Sequence, residues 1–226
     1  MNDINFTMYK LAGIIAEYDP FHNGHAWQLQ QAKALGAQRV AVAMSCGLTQ
    51  RGALPLLPEA VRVQAALTCG ADLVFALPAP YACSGAECFA RAGVQLLAAA
   101  GCDALVFGAE TPDAALLMEA ARVLSGAEYR TALKARLAAL LDKPNNNLAV
   151  EYCKAILELG ASLVPIPLPR QGAGHGQALT ETGGQFASAS ALRTLWQSGG
   201  ADAAAPYVPA EVLPLYREAF AAGQYT

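Results

Sequence analysis

The sequence predicts a doubly wound α/β domain, a parallel sheet with helices on both faces. Three observations carry this expectation. Short apolar runs rich in β-branched residues alternate regularly with segments of helical periodicity. The runs are continuously apolar rather than alternating, as expected of strands covered on both sides. The 226-residue chain is also 54% hydrophobic, ample for the core of one large domain.

The first strand is read in "LAGIIAEY" (11–18). "AWQLQQAKALG" (26–36) has helical spacing and a glycine stop, and "RVAVAM" (39–44) is the second strand. "LPEAVRVQAALTCG" (57–70) is a helix with Pro58 near its first turn and Gly70 past its end. "DLVFALP" (72–78) is a third strand closed by proline. "SGAECFARAGVQLLAAAG" (84–101) is a helix and "DALVFG" (103–108) the fourth strand. Helices over about 113–125 and 128–141 follow, then one over 147–159. In the last, Leu148, Tyr152 and Ile156 form one apolar row and Ala149, Cys153 and Leu157 the next, while Glu151, Lys154 and Glu158 face away. "ASLVPIPL" (161–168) is the fifth strand. Beyond a glycine loop lie a helix from about 190 and a last one around 209–221. Disorder is expected only at residues 1–8 and in the Gly/Ala-rich stretch near 198–206.

Composition narrows the class. The most apolar region, 69–109, is broken by Asp72, Pro78, Pro80, Glu87, Arg91 and Asp103, so no membrane span is expected. The opening "MNDINFTMYK" lacks a long apolar segment, which argues against a secretory signal and for a cytoplasmic protein. Cys46, Cys69, Cys83, Cys88, Cys102 and Cys153 form no CxxC pair, and no histidine lies at zinc-finger spacing. They read as small hydrophobes rather than a metal or disulfide framework. The net charge of −3 lacks the basic footprint of a dedicated nucleic-acid module, while leaving room for a local patch.

Ligands of such sheets bind beyond the carboxyl ends of the strands, which directs attention to loops 17–25, 45–56, 78–86, 108–112 and 169–190. The first of these reads "EYDPFHNGH" and holds His22 and His25, two of the chain's three histidines. Asn23 can cap the following helix, with Gly24 and His25 in its first turn. A helix start offers N–H groups and partial positive charge to a phosphate, and Gly24 removes the Cβ that would obstruct it. Two imidazoles can donate hydrogen bonds to phosphate oxygens as charge builds. Two other readings compete. The histidines could ligate a metal with Glu17 or Asp19, although a pair three apart is a poor chelate and only His175 remains as a further imidazole. They could also simply cap the loop.

"EYDPFHNGH" resembles the H-x-G-H signature of the nucleotidyltransferase superfamily. More narrowly, "GIIAEYDPFHNGH", "MSCGLTQRG", "YACSGAECFARAGVQLL", "FGAE", "KPNNNLAVEYCKAI", "PRQGAG" and "SASALR" resemble, in the right order from residue 11 to 195, the motifs of the bacterial tRNA(Met) cytidine acetate ligases. The resemblance implies a Rossmann-like sheet of the nucleotidyltransferase type. It implies an ATP-binding domain over 1–195 and a helical extension over 196–226, with the family's further C-terminal domain, expected to hold much of the tRNA grip, absent. ATP, its phosphates bridged by Mg²⁺, would activate acetate as acetyl-adenylate, and the acetyl group would pass to N4 of the wobble cytidine of elongator tRNA(Met). His22 and His25 would be catalytic. Ile15, Ala16, Glu17, Tyr18, Asp19, Pro20, Phe21, His22, Asn23, Gly24 and His25 would contact ATP, together with Gly108, Asn145, Asn146, Arg170, Ser190 and Arg193. Arg51 would face a phosphate or the carboxylate substrate.

Each outlying residue also has a plainer reading. "SASALR" places Ser190, or Ser188, at a helix N-cap and Arg193 in the first turn, where a cation suits the helix dipole only if an anion sits there; a surface ion pair is the alternative. Arg170 opens a glycine loop and suits bidentate phosphate contact, or caps a turn. Gly108 is a clear approach to the sheet edge or a turn glycine. "PNNN" (144–147) can cap a helix and spare an amide for adenine or ribose, or be only a turn. Lys33, Arg130, Lys134 and Arg136 read as solvated helix faces. The chain departs from the family at Asp19, where Asn is usual, at Ser45-Cys46-Gly47, where Ser-Gly-Asn is usual, and at "GALP" after Arg51, where an acid is usual. Two other functions remain open: a small-molecule adenylyltransferase of the same superfamily, and a non-catalytic nucleotide-binding or RNA-associated module.

Overall fold

A computed structural model of the protein describes residues 8–126, 134–170 and 186–226. Five strands form one sheet: β1 (Ala12–Ala16), β2 (Val40–Ser45), β3 (Leu73–Leu77), β4 (Ala104–Ala109) and β5 (Val164–Pro169). All are parallel, in the order β3-β2-β1-β4-β5. The chain winds outward from β1 to β3, then returns to β1's other side as β4. The crevice between β1 and β4 is therefore the switch point at which such sheets bind ligands.

Eight helices belong to the described residues: α1 (Asn23–Ala34), α2 (Glu59–Thr68), α3 (Ala86–Ala99), α4 (Ala114–Ser125), α5 (Lys134–Leu141), α6 (Pro144–Leu159), α7 (Ala189–Ala204) and α8 (Leu213–Ala221). Alternate strand residues feed two separate cores. Ala12, Ile14, Val40, Val42, Met44, Ala104 and Val106 pack on one face with residues of α1, α2, α7 and α8. Ala41, Ala43, Leu105, Phe107 and Ala109 pack on the other with α3, α4 and α6. The predicted doubly wound class is thus the observed one. Coverage is complete over β2 and nearly so over β4, but the edge strands are less protected, with Leu73 and Val164 exposed.

Several element limits differ from the sequence reading. α6 begins at Pro144, because proline is tolerated at the first helical position, so "PNNN" lies inside the helix and Lys143 precedes it. The stretch 198–206, expected to be disordered, is helical as far as a 3-10 turn over Ala205–Tyr207. Only Gly200 leaves helical geometry there, at φ 67°, where the Phe220 ring occupies the space a Cβ would need. The boundary expected after residue 195 falls within α7, and Trp196, Ala201, Val212 and Tyr216 share the core that contains Ile14. The helix expected over 128–141 is described from Lys134 onward. All six cysteines are free thiols, Cys102 and Cys153 buried and Cys88 exposed. Among the described residues no helix is long and apolar enough to cross a membrane.

α3 lies tight against β1 because Gly93 has no side chain. A Cβ there would sit 2.6 Å from Ile15 Cδ1 and 2.9 Å from its Cγ1. Gly93→Ala should therefore lower stability by about 1–3 kcal/mol, the usual cost of overpacking. A urea unfolding midpoint equal to that of the parent protein would contradict this packing.

Candidate active site

The turn out of β1 is set by burial. Tyr18 and Phe21 are buried and meet edge to face, ring centroids 4.8 Å apart. Tyr18 is the one non-glycine residue with positive φ, 52°, among the described residues, a conformation that persists only where its surroundings hold it. Tyr216 from α8 donates its hydroxyl hydrogen to the Phe21 carbonyl at 2.8 Å. The loop is pinned from below before any ligand is considered.

Asn23 is not the cap of α1; His22 is. Its Nδ1 accepts the Gly24 N–H at 3.0 Å, and the His22 N–H donates to His25 Nδ1 at 3.3 Å. The His25 and Ala26 N–H groups both donate to the His22 carbonyl. The Gly24, His25 and Ala26 N–H groups are therefore consumed within the turn. What the turn offers instead is chemistry on the rings. An imidazole whose Nδ1 accepts carries its proton on Nε2 when neutral. Each ring thus keeps one Nε2–H donor. The rings stack at 3.7 Å, 20° from coplanar, with Tyr18 against the edge of His25. Gly24 is required by this stack itself, since a Cβ would lie 2.9 Å from His22 Cε1.

Burial, and next the Arg170 charge, lower the His22 pKa to about 4. Burial, then His22, then Arg170 hold His25 well below the usual histidine range. Both are neutral hydrogen-bond donors at pH 7.

The rings line a cavity of about 210 Å³. Ile15 comes to it from β1, Trp27 and Gln28 from α1, and Phe107 and Gly108 from β4. Asn145, Leu148 and Tyr152 come from α6, and Arg170 follows β5 directly. Segments far apart in the chain thus converge at the switch point. Arg170 is the only cation among the described residues lining the cavity. A larger cavity, about 610 Å³ between residues 54–62 and 223–226, holds none of these groups.

Other predicted residues sit nearby in different roles. Ala16 ends β1. Glu17 accepts the Gln50 N–H, and Asp19, Pro20 and Phe21 are buried under the turn. Asn23 donates its amide to the Pro206 carbonyl at 3.2 Å. Asn146 is fully buried, exchanging hydrogen bonds with Thr111. Ser188, not Ser190, caps α7, accepting the Ala191 N–H at 3.2 Å. Arg193 consequently lies beyond the first turn. It donates to the Asp19 carboxylate at 2.6 Å and the Asp19 carbonyl at 3.0 Å, and is absent from the cavity lining. The Asp19 carboxylate, where the family usually has Asn, is thus neutralised by the arginine expected to contact ATP. Arg51 is exposed in the loop after β2, also outside that lining. Arg130, His175 and most of "RQGAG" lie outside the described residues.

Two residues passed unremarked in the sequence have structural weight here. Arg62 of α2, 1% exposed, donates to the carbonyls of Glu17 (2.7 Å), Ser45 (3.0 Å) and Leu57 (3.2 Å), tying together the exits of β1 and β2. Glu110 accepts from the start of α6. A helix arginine and an acid after a strand have no spacing signature; Glu110 stood inside the recognisable "FGAE" but drew attention only to its glycine.

Comparisons with known proteins agree with this architecture. The HIGH Nucleotidyl Transferase family model matches residues 9–226. A tRNA(Met) cytidine acetate ligase of Syntrophotalea carbinolica is 37% identical over 211 residues, 81% of this chain and 50% of that protein. One of Limosilactobacillus reuteri is 36% identical over 233 residues, 93% of this chain and 61% of that protein. The chain thus spans about half the length of these relatives. The crystal structure of Thermotoga maritima TmcAL bound with alpha-thio ATP superposes with a TM-score of 0.82 at 26% identity, covering 96% of this chain and 57% of that one.

The lowered histidine pKa values fix a direction of pH dependence. Between about pH 6.5 and 4 the unfolded chain binds protons at His22 that the folded chain does not. Stability is therefore fully present above 6.5 and is lost as pH falls toward 4. His22→Asn replaces the ring with a cap that does not titrate. Its urea midpoints, followed from pH 7 to 4, should fall less steeply than the parent's; parallel curves would contradict the assignment.

Proposed function

The chain belongs to the HIGH Nucleotidyl Transferase family, and from that premise we propose that it uses ATP to adenylate acetate for N4-acetylation of the wobble cytidine of elongator tRNA(Met). The observation that carries this reading is the stacked His22–His25 pair, both rings neutral with their Nδ1 atoms occupied, on one cavity with Arg170. The names of the relatives support the acceptor, and the nucleotide analogue bound in the Thermotoga maritima protein supports ATP.

The reaction is an in-line attack of a carboxylate oxygen on the α-phosphorus, with the bond to pyrophosphate breaking. The protein has little covalent work to do, so positioning and charge stabilisation dominate. The Nε2–H groups of His22 and His25 donate to phosphate oxygens as negative charge shifts toward the leaving group. Being fixed by their Nδ1 bonds, they need no reorganisation at that moment. Arg170 supplies the positive charge and the geometry for bidentate contact. Gly108 keeps the β4 end low, its nearest would-be Cβ contact being Arg170 Cγ at 3.7 Å. Asn145 and the aromatic wall of Phe107 and Tyr152 suit the nucleoside. Arg193 acts through Asp19, holding the loop rather than gripping phosphate.

Magnesium is expected alongside ATP, yet among the described residues no group of three or more His, Cys, Asp or Glu side chains converges to hold a metal. The described residues by themselves do not build a cage for it.

The test is exchange of labelled pyrophosphate into ATP. Exchange should require acetate, and His25→Ala should reduce it by about 100-fold or more, the scale of losing one charge-stabilising donor, with the far-ultraviolet circular dichroism unchanged. Full activity in the alanine variant would remove the histidine from the mechanism. Exchange that needs a phosphorylated small molecule instead of acetate would make the protein a small-molecule adenylyltransferase, and ATP binding without exchange a nucleotide-binding module.

A further inference from the structure

α6 meets the turn after β4 through a set of hydrogen bonds that the reaction does not obviously need. Glu110 Oε1 accepts the Asn145 backbone N–H at 3.2 Å and the Asn145 side-chain Nδ2 at 2.6 Å. Its Oε2 accepts the Asn146 N–H at 2.8 Å. Asn146, fully buried, accepts the Thr111 N–H at 2.9 Å and donates to Thr111 Oγ1 at 3.1 Å. The first turn of α6 is therefore clamped to residues 110 and 111 at five points. Its N-terminus is already occupied by a carboxylate and is no place for a phosphate.

The clamp has a consequence for Asn145, which lines the cavity. A side-chain amide can present either end to a ligand, and only its hydrogen bonds decide which. Here one Nδ2 hydrogen is committed to Glu110, which orients the amide. Turning the amide over would set Oδ1 against Oε1, two acceptors with no hydrogen between them. Burial works to raise the Glu110 pKa, but the hydrogen bonds from Asn145 and Asn146 outweigh it and hold the carboxyl below its ordinary value. Glu110 is ionised at neutral pH and can only accept.

We propose that Glu110 is a positioning residue that fixes Asn145 with Oδ1 as its free end, so that the cavity selects a nucleoside carrying an N–H or O–H donor at that point. The inference rests on the reading that ATP occupies this cavity. Two groups on ATP have the required chemistry, the exocyclic amine of adenine and a ribose hydroxyl. A guanine or hypoxanthine ring, with a carbonyl in place of the amine, would meet Oδ1 with another acceptor. A site built to pair a donor leaves its own acceptor unpaired when a ligand lacking that donor covers it from water, which is how such sites discriminate.

Calorimetric affinities for ATP, ITP, 2′-deoxy-ATP and 3′-deoxy-ATP test this with the whole chain. ITP lacks the amine, and the deoxy nucleotides each lack one hydroxyl. The parent protein should favour ATP over one of the three by about tenfold or more, the worth of one hydrogen bond of about 1.4 kcal/mol. Glu110→Gln keeps the shape but can donate, so the Asn145 amide is free to turn and the preference should shrink toward unity. Asn145→Ala should abolish the same preference, which covers the case in which Glu110→Gln folds poorly. A purely structural role for Glu110 would weaken all four nucleotides alike and leave the ratios intact; that outcome, or a parent protein indifferent to all four, overturns the inference. Failure of the parent protein to bind ATP at all overturns the proposed function as well, whereas tight ATP binding with unchanged ratios overturns this inference alone.

Discussion

Two backbone N–H groups at the start of α1, those of His22 and Gly24, need acceptors, and they find them on two imidazole rings. Everything else about the site follows from that local demand. Because Nδ1 of His22 takes the Gly24 N–H and Nδ1 of His25 takes the His22 N–H, neither ring can rotate or exchange tautomers without uncapping a helix. Their protons are thereby placed on Nε2. The same bonds bring the rings into a stack, which in turn forbids a side chain at position 24. A capping arrangement that any helix requires has become an arrangement of paired donors whose geometry is set before substrate arrives.

Around that turn, charge is settled locally rather than left to solvent. The Asp19 carboxylate, 3% exposed, is answered by Arg193 and by the Leu56 N–H. Glu110 is answered by the start of α6. Arg62 lies among backbone carbonyls, with burial lowering its pKa and nearby acids including Asp19 and Glu59 opposing that. Each pairing braces a different wall. Among the described cavity-lining residues Arg170 alone brings a full positive charge. An anion entering there would meet one guanidinium and two neutral donors.

The strands were legible because continuous apolar runs have few alternatives in a chain that also carries strong helical periodicity. The switch-point location of the site followed from the alternation itself. Individual side-chain roles were less visible. Asn outranks His as a cap in any propensity scale, yet His22 holds that position because an imidazole nitrogen accepts equally well where the chain turns this sharply. "PNNN" read as a helix cap or a turn because its residues favour both, but Pro144 is as comfortable at the first position of a helix. The pairing of Arg193 with Asp19 crosses 174 positions, which no spacing rule reaches. Arg62 has the spacing of an ordinary helix-surface cation, and only the tertiary fold reveals that it is enclosed.

The bond between Asp19 and Arg193 also imposes an order of events during synthesis. A ribosome translating this message releases the histidine turn early, while the arginine that neutralises Asp19 is still untranslated, many codons downstream. The Tyr216 hydroxyl that props Phe21 arrives later again. For most of its production the nascent chain carries a turn whose ion pair and hydroxyl prop are missing, so these long-range contacts can close only once nearly the whole domain has been made.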